Sequence, residues 1–454
     1  MKPIQKLLSK LPSKPLATAL IAFSLVGPIV GQTLYVNASA KPGGDGKSWA
    51  KAFRKLDAAL AKAGMGTAIW VSQGRYPGGF TVPKGVSLFG GFHPGDRRMT
   101  QRDWLKNKTV LDGAGKQRVL MLGDQSLVDG FVVANGNAGG DGGGGALVKA
   151  VRATIRNCLF QNNKNSAGRG AALHTLKGNT VLENSIFYKN MGSGHVVDFT
   201  SAMGRVQHIL VYDNLSNGLH FHLGTTITIT NSIFARNTGR GICHISANDR
   251  PTIENNLLWN NKSGLYHFRG KDFRNIADVN KLPYAKNNIT GDPKLLSPTS
   301  LNFSVAMGSP VLDRGKPGSA LSQAFDQNPR LLDANLDGRA LPDIGPSEYS
   351  NIRLMTQGTP RPGSPLSLRV AGKKGLIPLL LLSAKPSQLQ ILPYGILLLD
   401  PTSLIALPVP LNTNMNSTLP SSFPKGMGLS LQALAIGGKG GNLSNLIDLC
   451  VGCR

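Results

Sequence analysis

The sequence predicts an all-β protein: a right-handed parallel β-helix (solenoid) with an N-terminal helix cap and a C-terminal β-sandwich-like domain. Three observations predict this fold. The 454 residues include 55 glycines but only 16% charged residues, a composition typical of many tight turns between short strands. Polar anchors recur between alternating apolar residues. These units follow one another at a nearly constant spacing, so each is expected to stack on the unit before it.

The repeat is clearest at five polar anchors, each with an apolar residue two positions before it and another two positions after it. The anchors are spaced by 27, 24, 23 and 24 residues and are Asn157, Asn184, His208, Asn231 and Asn255. A further asparagine follows six residues after each anchor, at Asn163, Asn190, Asn214, Asn237 and Asn261. The alternation indicates short strands with one buried face. The asparagine columns are expected to hydrogen-bond from coil to coil.

The segment before the repeat predicts the helix cap. In residues 48–64, Phe53, Leu56, Leu60 and Ala63 share one helical face behind a candidate N-cap at Ser48. Such a helix would cover the open end of the coil stack, where strand edges are exposed. Short strands are predicted at 68–71, 86–89, 109–111 and 118–122, with a surface insertion over 92–108.

The first residues predict a signal peptide over 1–31, and therefore an exported protein that is secreted or held at the cell surface. An apolar run over 16–30 follows a basic start made by Lys2, Lys6, Lys10 and Lys14. This run is short and contains a proline, so it is not expected to span a bilayer. The later leucine-rich stretches are interrupted by prolines, and no transmembrane segment is predicted there.

Several runs resemble a known family. LYVNASAKPGGDGKSWAKAFRKLDAAL, IWVSQGRY, LFGGF and TQRDWLKNKTVLDG resemble the start of exported bacterial β-helix proteins of the pectin-lyase-like group. NNITGDPKLL, NFSVAMGSPVLDRG and DANLDGRALPDIGPSEY look like the usual end of that β-helix. The resemblance covers about 33–350 and implies the fold. It implies no single activity, because this fold carries lyases, hydrolases, epimerases and non-enzymes.

The composition changes after residue 350 and becomes rich in Leu, Pro and Gly. Alternation in PLSLRV and GLSLQAL predicts a small antiparallel β-sandwich, and the region is similar to C-terminal modules of exported planctomycete-type proteins. The predicted divisions are therefore 1–31, 32–350 and 351–454. Cys450 and Cys453 form a terminal C-x-x-C, for which a disulfide staple and a chemically idle pair are both open.

Histidines mark the candidate site, since seven of the eight lie between His174 and His267. Alignment of the coils places His174, Asp198 and His222 at equivalent strand positions, where coils about 4.8 Å apart make them neighbours. His244 and His267 fall at inward positions in this alignment unless a bulge intervenes. The candidate ligand-binding face comprises His174, Asp198, His220, His222, Arg169 and Arg240. The alternative is a set of stacked polar ladders on a solvated face without a ligand.

The charge balance suggests the partner. The chain has 50 Lys and Arg against 24 Asp and Glu, a formal charge of +26, which favours acidic partners. Nucleic acid is not expected, because basic runs are short and only 6% of residues are aromatic. We predict a binding or adhesion protein for acidic polysaccharide or cell-envelope glycan, more plausibly non-catalytic than an enzyme. The alternatives are a polysaccharide lyase acting on uronate glycans, with histidine as base and arginine as counter-charge, and a purely structural surface protein.

No cofactor or metal is predicted. Calcium is unsupported because the repeats contain no cluster of Asp residues, and a zinc site made of three histidines of this face is a less favoured alternative. A glycoside hydrolase would need paired carboxylates, but Asp198 has no acidic partner nearby and Glu183 is expected to pair with Arg156. The glycine-rich run at 139–145 is predicted to be a flexible loop rather than a phosphate or calcium site.

Overall fold

The computed structural model describes residues 31–450 except 319–320, 336, 338, 359–363, 373–375, 385, 392–394, 419–427, 438–439 and 445. The predicted signal peptide, apart from Gly31, lies outside the described residues, as does Cys453. Among the described residues no helix is long and apolar enough to cross a membrane.

The main body is the predicted parallel β-helix, in which three sheets run along the coil stack. The first sheet contains Gln32–Val36, Thr67–Ser72, Ser87–Phe92, Ser126–Asp129, Ala153–Arg156, Asn179–Glu183, Met203–Gln207, Thr226–Thr230, Arg250–Glu254 and Ala285–Lys286. The second contains Phe80–Val82, Leu120–Leu122, Asn137–Ala138, Ala146–Val148, Lys164–Asn165, Gly170–Leu176, Met191–Thr200, Leu215–His222, Arg240–His244, Gly264–Phe268 and Lys271–Phe273. The third contains Gly74–Pro77, Thr109–Asp112, Val132–Ala134, Leu159–Gln161, Ile186–Tyr188, Leu210–Tyr212, Ile233–Ala235 and Leu257–Trp259. All pairings between coils are parallel except the last one in the second sheet, which joins Lys271–Phe273.

The asparagine column six residues after the anchors forms the predicted ladder inside the stack. Each side-chain amide donates to the side-chain oxygen of the next coil, with N–O distances of 2.8–3.0 Å from Asn163 through Asn190, Asn214 and Asn237 to Asn261. The ladder is buried, so these bonds satisfy polar groups that have no access to water.

The anchors themselves have a different role from the ladder. All five adopt the left-handed conformation, with φ between 45° and 54°, which turns the chain from the first sheet into the third. Four of the five side chains bind a segment that returns along the outside of the third sheet, whereas Asn157 donates to Asp129. Asn184 donates to the carbonyl of Gln323 at 2.7 Å, and His208 donates to that of Gly345 at 3.1 Å. These four anchors are thus attachment points for residues that follow the last coil.

This return segment also covers an apolar row on the third sheet. Phe303, Val305, Val311, Phe325 and Ile344 pack on side chains from successive coils, namely Val132, Leu159, Ile186, Leu210, Ile233 and Leu257. Two short strands, Leu295–Ser297 and Asn302–Val305, form an antiparallel pair at its start, around the 3-10 helix Pro298–Ser300. Burial of this row contributes to stability because apolar surface leaves water.

The N-terminal cap is present but shorter than predicted. The α-helix spans Leu56–Lys62, and Ser48 caps a separate 3-10 helix, Trp49–Lys51. Between them Phe53 leaves the helical path and its N–H bonds to the carbonyl of Tyr35, because the chain there extends along the first strand. A second short helix, Ile276–Asn280, lies near the other end of the stack and buries Val279.

The segment 92–108 is inserted between the first and third sheets, as predicted, but part of it is buried. It contains the 3-10 helix Met99–Gln101 and buries the side chain of Arg102 against the rings of Phe89, Phe92 and Trp104. Arg102 can be buried because its guanidinium donates to the carboxylate of Asp129 at 2.9 Å.

Antiparallel sheets follow the β-helix, as the sequence predicts. The first contains Ile352–Gly358, Pro365–Gly372 and Asn414–Thr418. The second contains Ile377–Ser383, Ile405–Pro408, Gly428–Gly437, Gly440–Leu443 and Ile447–Cys450. A pair of strands, Pro386–Ile391 and Gly395–Leu399, and the 3-10 helix Pro401–Ser403 complete the region. The first two sheets share one apolar cluster that includes Leu354, Val370 and Leu431, which gives a sandwich-like packing. The exact domain boundary near residue 350 stays a prediction.

Candidate functional site

The histidines gather on the outward face of the second sheet, because side chains of a strand alternate between its two faces. In register, His174 lies beside Asp198 and Asp198 beside His220, and the column continues through Cys243 to His267. Neighbours on either side in each strand point into the core, as Val197 and Phe199 do. The outward column therefore brings these five side chains, one from each of five successive coils, into one line.

The register corrects one part of the predicted alignment. His220, not His222, lies level with Asp198, while His222 pairs with Thr200. The reason is a register shift between Met191 and His195, where one coil holds two more residues than the next. His267 faces outward, whereas His244 faces inward, as predicted, and stacks on Phe221 with ring centroids 4.8 Å apart.

Four of the predicted residues and one that was not predicted form a compact cluster. Nδ1 of His220 donates to Oδ1 of Asp198 at 2.9 Å, and Nε2 of His174 lies 3.7 Å from Oδ2 of the same carboxylate. The ring of His195 stacks on that of His220 with centroids 3.8 Å apart. The ring of His222 lies 4.7 Å from that of His220. We call the set of His174, His195, Asp198, His220 and His222 the histidine face.

Thr200 links two members of this face and fixes their tautomers. His174 donates from Nδ1 to the carbonyl of Asp141, so its Nε2 accepts from the hydroxyl of Thr200 at 3.1 Å. The same oxygen then accepts from Nε2 of His222 at 2.9 Å. Nδ1 of His222 and Nε2 of His220 are consequently the nitrogens that carry lone pairs in the neutral rings.

Burial keeps most of these imidazoles neutral. It lowers the pKa of His195 to about 3, an effect strengthened by the neighbouring His220. Burial also lowers the pKa of His174, against the raising effect of Asp198, and that of His222. For Asp198, burial acts to raise the pKa, but the hydrogen bond from His220 and the electrostatic interactions with His220, His174 and His195 together outweigh it, and the pKa falls below its usual value. Near neutral pH the face is thus a buried carboxylate among largely uncharged rings.

The two predicted arginines lie in different surroundings. Arg169 is partly exposed. Burial is the main cause that lowers the pKa values of His174 and His222, and the positive charge of Arg169 lowers them further. The guanidinium of Arg240 already binds the carboxylate of Asp272, so it is not free to bind a ligand. The same carboxylate also accepts from Nδ1 of His267 at 2.7 Å. Of these two arginines, Arg169 is therefore the one available to a ligand beside the face.

The glycine-rich run forms an exposed turn over 139–141, and its second half is buried beside His174. Gly142–Gly145 are buried, and a Cβ on Gly144 would lie 2.3 Å from the carbonyl oxygen of Lys164. Glycine is required there because neighbouring backbone approaches so closely. A Cβ on Gly142 would meet the Cβ of Arg169, so this turn helps to position the arginine.

Other predicted features are placed elsewhere. Glu183 forms its ion pair with Arg205 at 2.8 Å, whereas Arg156 binds Asp129. Cys158 and Cys243 are free and buried, and burial raises the pKa of each thiol to about 12, so neither is a reactive thiolate. Among the described residues, one group of ligands is close enough to hold a metal ion, namely Asp198, His220 and His222, whose ligand atoms lie within 4.8 Å of one another.

Sequence reasoning missed His195, Thr200 and Asp272. His195 and Thr200 share the strand Met191–Thr200 with Asp198. His195 precedes Asp198 by three residues, so simple alternation places it on the opposite face of the strand. The register shift before His195 breaks this alternation, and its ring stacks on that of His220 although it lies outside the aligned column. The pair His220-x-His222 on one strand was the available signal for a clustered site.

Comparison with known proteins supports the fold. Residues 117–281 match the family described as right handed beta helix region. The main body of the chain is thus folded as a right-handed parallel β-helix, as the sequence predicts. No curated protein matches the chain.

Two solved structures are similar to the chain in backbone. One is described as the crystal structure of pectate lyase Pel9A, with 14% identity, a TM-score of 0.40, and coverage of 71% of this chain and 98% of that one. The other is described as rhamnogalacturonan lyase, with 11% identity, a TM-score of 0.29, and coverage of 59% of this chain and 91% of that one. Identities and scores this low assign no activity or substrate to the present chain.

Proposed function

We propose that the protein binds an acidic polysaccharide along the histidine face, outside the cell or at its surface. The observation that carries the proposal is Arg169, a partly exposed guanidinium beside a line of polar side chains that runs along the coil stack. An extended line of this kind suits a linear polymer, and the formal charge of +26 favours one with acidic groups. The proposal includes export with cleavage near Gly31, which N-terminal sequencing of the mature protein tests.

A second candidate function, cleavage of a uronate glycan by β-elimination, is favoured by the Asp198–His220 pair. Asp198 accepts from Nδ1 of His220 and orients the ring, so Nε2 is left as a base. A lyase needs such a base for the proton α to the carboxylate, and a cation to neutralise that carboxylate, which Arg169 would supply. A purely structural surface protein is the remaining alternative.

Binding to a panel of uronate polysaccharides over a salt series tests the first proposal. Wild-type protein is expected to bind, with an affinity that falls as salt rises, because the contacts are screened. Arg169→Gln is expected to weaken binding by about tenfold or more, since it removes a charge-assisted hydrogen bond. Arg250→Gln, which alters an exposed arginine of the first sheet, is the matched control and is expected to bind like wild type. Equal affinities of the two variants would contradict the assignment of this face.

The same samples separate binding from cleavage by the absorbance of the unsaturated product. If the protein is a lyase, product forms with wild type and is lost in His220→Gln, while binding stays within a few fold. Binding without product supports a non-catalytic role. If neither binding nor product is found, the structural alternative remains and the proposed function is wrong.

A further inference from the structure

Three side chains of the histidine face converge from two adjacent coils. His220 and His222 are two residues apart on one strand and point to the same side, and Asp198 lies directly beside His220. Their ligand atoms lie within 4.8 Å of one another. We propose that Asp198, His220 and His222 bind a divalent transition-metal ion of the zinc class.

The hydrogen bonds show which ring atoms face the proposed ion. His222 uses Nε2 toward Thr200, so its Nδ1 keeps the lone pair that a metal requires. Nδ1 of His220 lies 2.9 Å from Oδ1 of Asp198, so an ion bound by both takes the place of the proton between them, and the ring then carries its proton on Nε2. Thr200 in turn is held by His174, so the orientation of His222 is supported by a second layer of bonds.

The charge of Asp198 is a second reason for a cation at this position. The carboxylate is 1% exposed, and no Lys or Arg among the described residues forms an ion pair with it. A buried carboxylate is costly unless a positive charge or several hydrogen bonds compensate it. A divalent ion between Asp198 and the two rings supplies that charge.

The donor set selects the class of ion. Two imidazole nitrogens and one carboxylate oxygen suit zinc and related first-row ions, whereas calcium and magnesium prefer oxygen ligands alone. Tetrahedral coordination at about 2.0–2.2 Å places ligand atoms roughly 3.3 Å apart, so the most distant pair needs to close by up to about 1.5 Å. Three protein ligands leave a fourth position for water or for an oxygen atom of a bound molecule.

The experiment is a titration of chelator-stripped full-length protein with Zn²⁺ by calorimetry and with Co²⁺ by visible absorbance. All samples carry Cys450→Ser and Cys453→Ser, because thiols at the C-terminus also bind zinc. One ion per chain is expected, with micromolar or tighter affinity and a rise in Tm on binding. His222→Asn and Asp198→Asn are each expected to weaken Zn²⁺ binding by about a hundredfold or more.

His267→Asn is the matched control, because His267 also pairs with a carboxylate on the outward side of the same sheet. The His267→Asn variant is expected to bind Zn²⁺ with the same affinity as protein that keeps His267. His222 is partly exposed, so its variant is expected to fold even if the Asp198 variant does not. Absence of Zn²⁺ and Co²⁺ binding, or equal binding by His222→Asn and His267→Asn, would overturn the inference. Metal binding is measured without glycan, so its failure is distinct from failure of glycan binding.

Discussion

At the scale of single residues, the carboxylate of Asp129 links its own coil to the next coil and to the segment 92–108. Its carboxylate accepts from Arg102 at 2.9 Å, from Arg156 at 2.7 Å and from Asn157 at 2.9 Å. Burial acts to raise the pKa of Asp129, but the two arginines outweigh it and hold the pKa below its usual value. Since the folded pKa is the lower one, the carboxylate stabilises the protein above the unfolded pKa. This contribution is lost as the pH falls through the folded pKa.

Asp129→Asn is therefore expected to lower the free energy of unfolding at pH 7 by about 3–5 kcal/mol, because Arg102 is left buried without its counter-charge. At a pH below the folded pKa the difference from wild type should shrink. Denaturant unfolding at neutral and at acid pH measures both values. Asp57→Asn, an exposed position on the cap helix, is the control, with a change of about 0.5 kcal/mol. A loss that is the same at both pH values would contradict the linkage.

At the level of elements, the asparagine ladder can be tested in its middle. Asn214 donates to the carbonyls of Phe187 and Tyr212 and to Asn237, and its oxygen accepts from the backbone and side chain of Asn190. Asn214→Ala leaves several buried groups unsatisfied and is expected to cost about 3 kcal/mol or more in the free energy of unfolding. Asn248→Ala, in an exposed turn, should change it by less than about 0.5 kcal/mol. Similar effects of the two substitutions on thermal unfolding would show that the ladder is not stabilising.

The elements also show how far the sequence predicts this protein. The coils and the asparagine ladder follow from periodicity alone, because each depends on residues at a fixed spacing. The repeat spacing predicts His222 level with Asp198, but His220 lies there instead. Two extra residues before His195 shift the register, and spacing alone does not reveal where a coil accommodates them. The attachment of Asn184 to Gln323 joins residues 139 positions apart, and no local pattern predicts such a contact.

For the whole molecule, one buried carboxylate connects the β-helix to the C-terminal sheets. The side chain of Asp448 is fully buried and accepts from Arg98 at 2.6 Å and from Ser430 at 2.9 Å. Asp448→Ala is expected to speed limited proteolysis between the two regions several fold, because Arg98 loses its ion-pair partner and keeps only its hydrogen bond to the carbonyl of Leu449. Asp278→Ala, which removes the exposed ion pair with Lys281, should leave the cleavage rate unchanged. If both variants are cleaved at the wild-type rate, the contact does not hold the regions together.

The return segment has a consequence for how the chain is made. Residues 303–344 leave the ribosome only after every coil of the stack, yet they cover the apolar row that includes Leu159, Ile186 and Leu210. If the coils fold in order from the N-terminus, the stack therefore exposes a continuous apolar row until this segment folds onto it. Exposed apolar surface of this kind promotes aggregation and is what chaperones bind. The most vulnerable moment for this protein is thus the interval between completion of its last coil and arrival of the segment that seals it.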